Sequence, residues 1–517
     1  GRTPCPQRYY SPGLYCRNAF WEMERVRMIR KMACTGILVI LVVCVSMTAL
    51  FAFIQAGGIH AAGVPEKNVI LVAAHDSPEA AKVLADYTCD GIADQVEIQQ
   101  AIDASRARGA AVSLAEGTFN LDGDRVVPGN TLIEGKGETR TRLHWMSGRL
   151  TAYGGENIVL GNFETCGTGA IFLFNCSHVR VHDVVARVDD SLGGGAFFVW
   201  VQNSISEDIE FVNCKAIDCG RMGFMNDGEG SPRLIRNIRY INCQAINSGR
   251  YARFTPYGEW TTGFAIAENN DLADAMLTAC LAEGSFESGF HVENAPRITN
   301  LVFRDCISRN NGQKPDAFYN PSEESHGLHF GSGYWVQGGT TLYNCVSGGN
   351  GNAGFSAGPG VRLYNCTDDG SAVGFRLVET RDVYLKDCTS RNAGAYAVYA
   401  LEAEGIVAEG LNILDPAGFN GNGSFFGTIA HPVINSRFDL IGQNDGTVRT
   451  IYCEGCRGVT FTGVIRTGHP DPVVITRGEG IDTRGLQIEA GGEIADPGRD
   501  GGCGLKNFLI RIITAFL

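Results

Sequence analysis

LYNCVSGGNGNAGF (342–355) and LYNCTDDGSAVGF (363–375) open on the same tetrapeptide, 21 residues apart, and both close on Gly-Phe. They belong to a longer series. Asn-Cys or a near relative recurs at FNC (174–176), VNC (212–214), INC (241–243), TAC (278–280), RDC (304–306) and KDC (386–388). The later steps are 21 and 22 residues, and the earlier ones are longer, which reads as loops inserted into a basic unit. After most of these cysteines comes a turn rich in Gly, Asn or Ser. A short strand then begins with Gly and an apolar residue: GFMN (223–226), GFAI (263–266), GFHV (289–292), GLHF (327–330), GFSA (354–357) and GFRL (374–377).

No unit carries an apolar helical stripe, so each is a few short strands separated by turns. A unit this small cannot bury its apolar side alone, but stacked units can. The short, β-rich period selects a parallel β-helix, with each coil about 4.8 Å above the last. Equivalent residues then form ladders. Cys, small and apolar, suits a buried rung, and the Asn before it can hydrogen-bond along the turn. Cys453 and Cys456 (CEGC) stand apart, as a disulfide or half of a metal site.

The bulk numbers agree. The 517 residues allow a large core, charged residues are only 19%, and Gly numbers 67. That Gly share is roughly double the usual value of about 7% and signals many tight turns. The net charge of −13 argues against nucleic acid as a partner. Residues 33–54, ACTGILVILVVCVSMTALFAFI, carry no charge and are long enough to span a bilayer. Arg25, Arg27, Arg30 and Lys31 precede them and put the N-terminus on the cytoplasmic side. The expectation is a β-helix at the cell surface, anchored to the membrane by this helix, or secreted after its cleavage as a signal peptide. Residues 1–32 would be a cytoplasmic segment, of which 1–22 precede the first Met and need not be translated, and 55–67 a linker.

Residues 89–121, CDGIADQVEIQQAIDASRARGAAVSLAEGTFNL, resemble the entry to right-handed β-helix proteins of the pectate-lyase-like superfamily. Those begin with Asp-Gly-x-x-Asp, an amphipathic capping helix ending in Gly, and a strand closing with Gly-Thr-Phe or Gly-Thr-Tyr. Here the helix falls near 94–108. Asp94 and Glu97 form a candidate capping box, Ile98, Ala101 and Ile102 an apolar face, and Gly109 the helix end. The expected fold is all-β: a right-handed single-stranded parallel β-helix over 68–490 with an N-terminal capping helix. A Gly-rich linker and apolar tail follow at 491–517. The superfamily holds lyases, hydrolases, epimerases, tailspikes and adhesins, so the resemblance fixes no activity.

In such folds the outward side of one sheet forms a groove for a sugar chain. With the strands aligned on their Gly, the next residue points in and the second and fourth point out. That alignment brings His291 and His329 together one coil apart, with Glu293 beside them and Arg376 two coils beyond His329. Histidine can act as acid or base near neutrality, and Arg can hold a uronate carboxylate. These four are the candidate catalytic residues. Asp189, Asp190 and Asp227 form a second set, able to flank a glycosidic bond or to hold calcium, the one cofactor the sequence suggests. Tyr251, Tyr257, Trp260, Tyr334 and Trp335 are candidate stacking surfaces for sugar rings. Since no complete catalytic motif of the superfamily is present, the reading favoured is a surface protein that binds polysaccharide or builds the cell envelope without catalysis. The alternative is a lyase or epimerase acting on uronic-acid glycans, followed by a glycoside hydrolase.

Overall fold

The computed structural model describes residues 69–189, 195–249, 261–293, 297–313 and 331–490. The apolar stretch 33–54 and its flanks, the tail from 491 on, and Asp190, Tyr251, Tyr257, Trp260 and His329 lie outside them. Among the described residues no helix is long and apolar enough to cross a membrane.

Coil after coil, strands pair in parallel with the strand one turn further along the chain. The run Phe264–Ile266, Phe290–Val292, Tyr334–Val336, Ala353–Ala357, Val373–Arg381, Tyr396–Glu404 forms one continuous sheet, here called the front sheet. Further strands continue each coil in the same parallel manner, as Leu342–Leu363–Leu385–Ala408 and Ser347–Asp368–Ser390 show. The architecture is a parallel β-helix, as the resemblance to pectate-lyase-like proteins implies.

Two ladders explain the repeated Asn-Cys. The cysteines 176, 214, 243, 280, 306, 345, 366 and 388 are all buried. Most thiols donate inward to a carbonyl of the coil below: Cys243 Sγ to Phe211 O at 3.4 Å, Cys306 Sγ to Leu277 O at 3.4 Å. The residue before each cysteine turns the corner in the left-handed region, with φ of 53° at Asn213, 52° at Asn242, 53° at Asn344 and 51° at Asn365. Asn tolerates this conformation better than other side chains. Its amide also reaches one coil back: Asn242 Nδ2 donates to Asn213 Oδ1 and Asn365 Nδ2 to Asn344 Oδ1, both at 2.9 Å.

Inside the front sheet, Phe197, Phe224, Phe264, Phe290, Tyr334, Phe355 and Phe375 stack ring on ring at centroid spacings of 4.6–5.4 Å. At the N-terminal end the helix Gln95–Arg108 closes the first coil with Ile98, Ala101 and Ile102 buried, and Gly109 ends it at φ 62°. Asp94 does not form the expected capping box. Its carboxylate accepts the N–H of Gly91 and of Asn120, each at 2.8 Å, and so ties the cap to the neighbouring strand instead. A disulfide joins Cys453 and Cys456.

Candidate active site on the front sheet

The outward positions of the front sheet form their own ladder. In register it runs Phe172, Phe198, Met225, Ala265, His291, Trp335, Ser356, Arg376, Tyr399, Phe425, Tyr452. The rung after His291 is therefore Trp335 and not His329. The strand that pairs with Phe290–Val292 is Tyr334–Val336, opened by Gly333, rather than GLHF. Both segments fit the Gly-apolar pattern, and sequence alignment chose the wrong one. The same register moves Tyr334 out of the candidate sugar-binding set. It directly follows the Gly, points inward, is fully buried and stacks between Phe290 and Phe355. Trp335 points out and lies against His291, with ring centroids 4.1 Å apart.

A further departure creates the site. Strict alternation puts Ala267 outward, opposite Asp227. Instead Ala267 takes φ 56° and turns into the core. Buried Asn226 holds it there: Asn226 Oδ1 accepts the Ala267 N–H at 2.6 Å, and the Asn226 carbonyl accepts the Glu268 N–H at 3.2 Å. Glu268 then takes the outward place.

Five ionisable side chains gather here: Asp227, Glu268, Glu287, His291 and Glu293. Asp227 is 6% exposed. Burial raises its pKa, while hydrogen bonds to its anion from the Gly228 N–H (2.7 Å) and from Asn269 Nδ2 (3.0 Å) pull it back. Glu268 is pushed up to about 7, first by burial and then by the carboxylates of Glu293, Asp227 and Glu287, with His291 offsetting only part. Glu287 is 2% exposed, and its Oε2 accepts the Thr261 N–H at 2.9 Å. His291 is 4% exposed. Burial disfavours its imidazolium, but Glu293, with Oε2 at 3.5 Å from Nε2, together with Glu268 and Glu287 outweighs burial and raises its pKa.

Of the residues read from the sequence, His291, Glu293 and Asp227 come together. Arg376 is on the same ladder but three rungs from His291, about 14 Å at the coil spacing. It is buried, donates from Nη1 to Ser356 Oγ at 3.3 Å, and burial lowers its pKa to about 10. Asp189 is exposed at the end of the strand Ser177–Val188. Glu268 and Glu287 escaped the sequence reading. The first is displaced by one residue through the turn at Ala267, and the second precedes its strand in a turn.

For calcium, the one group among the described residues with three or more converging ligand atoms is Cys89, Asp94 and Glu97 at the helical cap, not the aspartates. Both Asp94 oxygens there already accept backbone N–H groups.

No protein-family model matches the chain, and no curated protein sequence matches it. Solved structures do. The A-module of the Azotobacter vinelandii mannuronan C-5 epimerase AlgE4 is 13% identical, with 78% of this chain and 97% of that one covered, at a TM-score of 0.32. The catalytic unit of a GH87 α-1,3-glucanase from Streptomyces thermodiastaticus is 14% identical, with 77% and 66% covered, at 0.35. The N-terminal fragment of gene product 12 of bacteriophage Phi29 is 13% identical, with 78% and 71% covered, at 0.40. At such identities and scores these likenesses carry nothing about the chemistry of this chain.

Proposed function

We propose that the β-helix over 68–490 acts on a polysaccharide by acid–base cleavage of a glycosidic bond, with Glu268 as the proton donor and Asp227 as its ionised partner. The observation that carries this is the difference between two neighbouring carboxyls. Burial raises both, but Glu268 is pushed up to about 7, whereas Asp227 has hydrogen bonds to its anion from Gly228 and Asn269 that offset part of its rise. Paired acids whose environments differ in this way divide the roles of acid and of base or nucleophile. The two sit on adjacent coils, whose backbones are about 4.8 Å apart.

A uronate substrate fits less well. Three carboxylates, those of Glu268, Glu287 and Glu293, act on His291, and Arg376 is too far along the ladder to hold the same sugar ring. A neutral glycan avoids both difficulties. Export through 33–54 belongs to this proposal, since it brings the β-helix to extracellular glycans; fractionation of the native protein tests it.

The test incubates the purified protein with panels of neutral and uronic polysaccharides, following reducing ends alongside absorbance of unsaturated uronides. Reducing ends that disappear in Glu268→Gln support the proposal. Unsaturated product would replace it with elimination. Binding without any product would restore the non-catalytic reading, which the aromatic rungs beside the site favour.

A further inference from the structure

The outward face of the front sheet is polar only at its centre. On the N-terminal side, Tyr153, Phe174 and Trp200 follow one another in register and lead directly to Asp227. Tyr153 and Phe174 stack at 4.4 Å with planes 4° apart, and Tyr153 is 63% exposed, so one face of the stack is open. Trp200 is half-buried and stands nearly perpendicular to Phe198, at 88°. On the C-terminal side, Arg376 is followed in register by Tyr399, Phe425 and Tyr452, all half-buried, with Tyr396 and the 55% exposed Phe419 beside them. Arg149 lies with its guanidinium over the Phe172 ring at 4.0 Å.

Resting on the reading of the central carboxyls as an acid pair, we infer that the substrate is a long, unbranched, uncharged glycan. It lies along the coil axis over both aromatic strips, with the bond to be cleaved above Asp227 and Glu268. The apolar edges and faces of the strips suit the C–H faces of pyranose rings, and the central carboxylates of Asp227, Glu268, Glu287 and Glu293 disfavour an anionic chain. Geometry sets the length. The first strip abuts the carboxyl pair, whereas Tyr399 is five rungs beyond the coil of Glu268, about 24 Å, and Tyr452 seven rungs, about 34 Å. A short oligosaccharide bound at the acids touches the first strip alone. A chain of eight or more sugars reaches both.

The experiment measures binding calorimetrically, using the full protein as Glu268→Gln to suppress turnover. The probes are gluco-oligomers of two to ten units in α-1,3, α-1,4, β-1,3 and β-1,4 linkage, with oligogalacturonates as acidic counterparts. The expected result is affinity for one neutral series that rises about tenfold between the tetramer and the octamer. Trp200→Ala weakens every length, whereas Phe425→Ala and Tyr452→Ala weaken the octamer and leave the trimer unchanged. Thermal melts confirm that the variants fold. Affinity that levels off at three sugars, preference for the oligogalacturonates, or no binding in any series overturns the inference. Turnover assays separate it from the acid-pair reading. Cleavage by the native protein without length dependence sinks only the long-chain substrate. Length-dependent binding without cleavage sinks only the acid pair.

Discussion

The imidazole of His291 and the indole of Trp335 occupy consecutive rungs of the outward ladder, 4.1 Å between centroids with planes inclined by 47°. The tryptophan covers one side of a histidine whose pKa is raised, and that histidine offsets part of the upward shift of Glu268. Removing the positive charge must therefore raise the Glu268 pKa further. His291→Gln should move the alkaline limb of the pH–rate profile to higher pH. A limb that stays in place or moves down would separate His291 from Glu268.

Glu268→Gln should lower kcat by roughly two to four orders of magnitude, the usual contribution of a general acid, and native activity should fall as pH rises through about 7. The same group has a stability signature. Its folded pKa is above the unfolded value, so its contribution is full below the unfolded pKa and is lost as pH rises through about 7. Glu268→Gln should thus melt higher than the native protein at pH 8, with the gap closing near pH 4.

Tyr334 and Trp335 adjoin in sequence and should behave as opposites. Tyr334→Ala opens a cavity in the inner aromatic stack and should cost about 3–5 kcal/mol. Trp335→Ala should cost far less and act mainly on KM. Denaturant titration beside steady-state kinetics reads both.

Inside the solenoid, Asp368 is fully buried, accepts a hydrogen bond from Ser371 Oγ at 2.6 Å on Oδ1, and among the described residues has no hydrogen-bond partner on Oδ2. Burial raises its pKa to about 7. The sign matches that of Glu268: the carboxyl is well tolerated when protonated, and its contribution is lost as pH rises through about 7. Asp368→Asn should stabilise the protein by roughly 2 kcal/mol at pH 8 and by little at pH 4. Equal melting temperatures at pH 8 would count against it.

Asn365 joins two requirements, a φ of 51° and an amide that reaches Asn344 Oδ1. Asn365→Gly should lose only the amide, about 1 kcal/mol. Asn365→Ala should lose both, adding about 1 kcal/mol or more of backbone strain. If the two variants melt together, the strained backbone contributes nothing.

What could be read from the sequence follows from what repeats. The Asn-Cys corners, the capping helix and the inward Phe after each Gly recur coil after coil, and each has a local cause. The site does not repeat. Glu268 is outward only because Asn226 draws Ala267 inward, a contact between residues 41 positions apart. GLHF and GYWV satisfy the same pattern, and only the inter-coil register sets Trp335 beside His291. Periodicity reveals the coils but is silent where one coil breaks the rule, and the chemistry gathers at such a break.

The Asn-Cys corner also counts. Between Cys345 and Cys366 the coil closes in 21 residues, while from Cys306 to Cys345 it takes 39 and yet adds the same single rung. Length added within a coil changes what hangs from the solenoid and leaves the spacing along it untouched. Only a whole coil gained or lost moves the carboxyl pair relative to the aromatic strip beyond Arg376. The reach of the molecule is thus a quantised dimension, set by how many times the chain goes round.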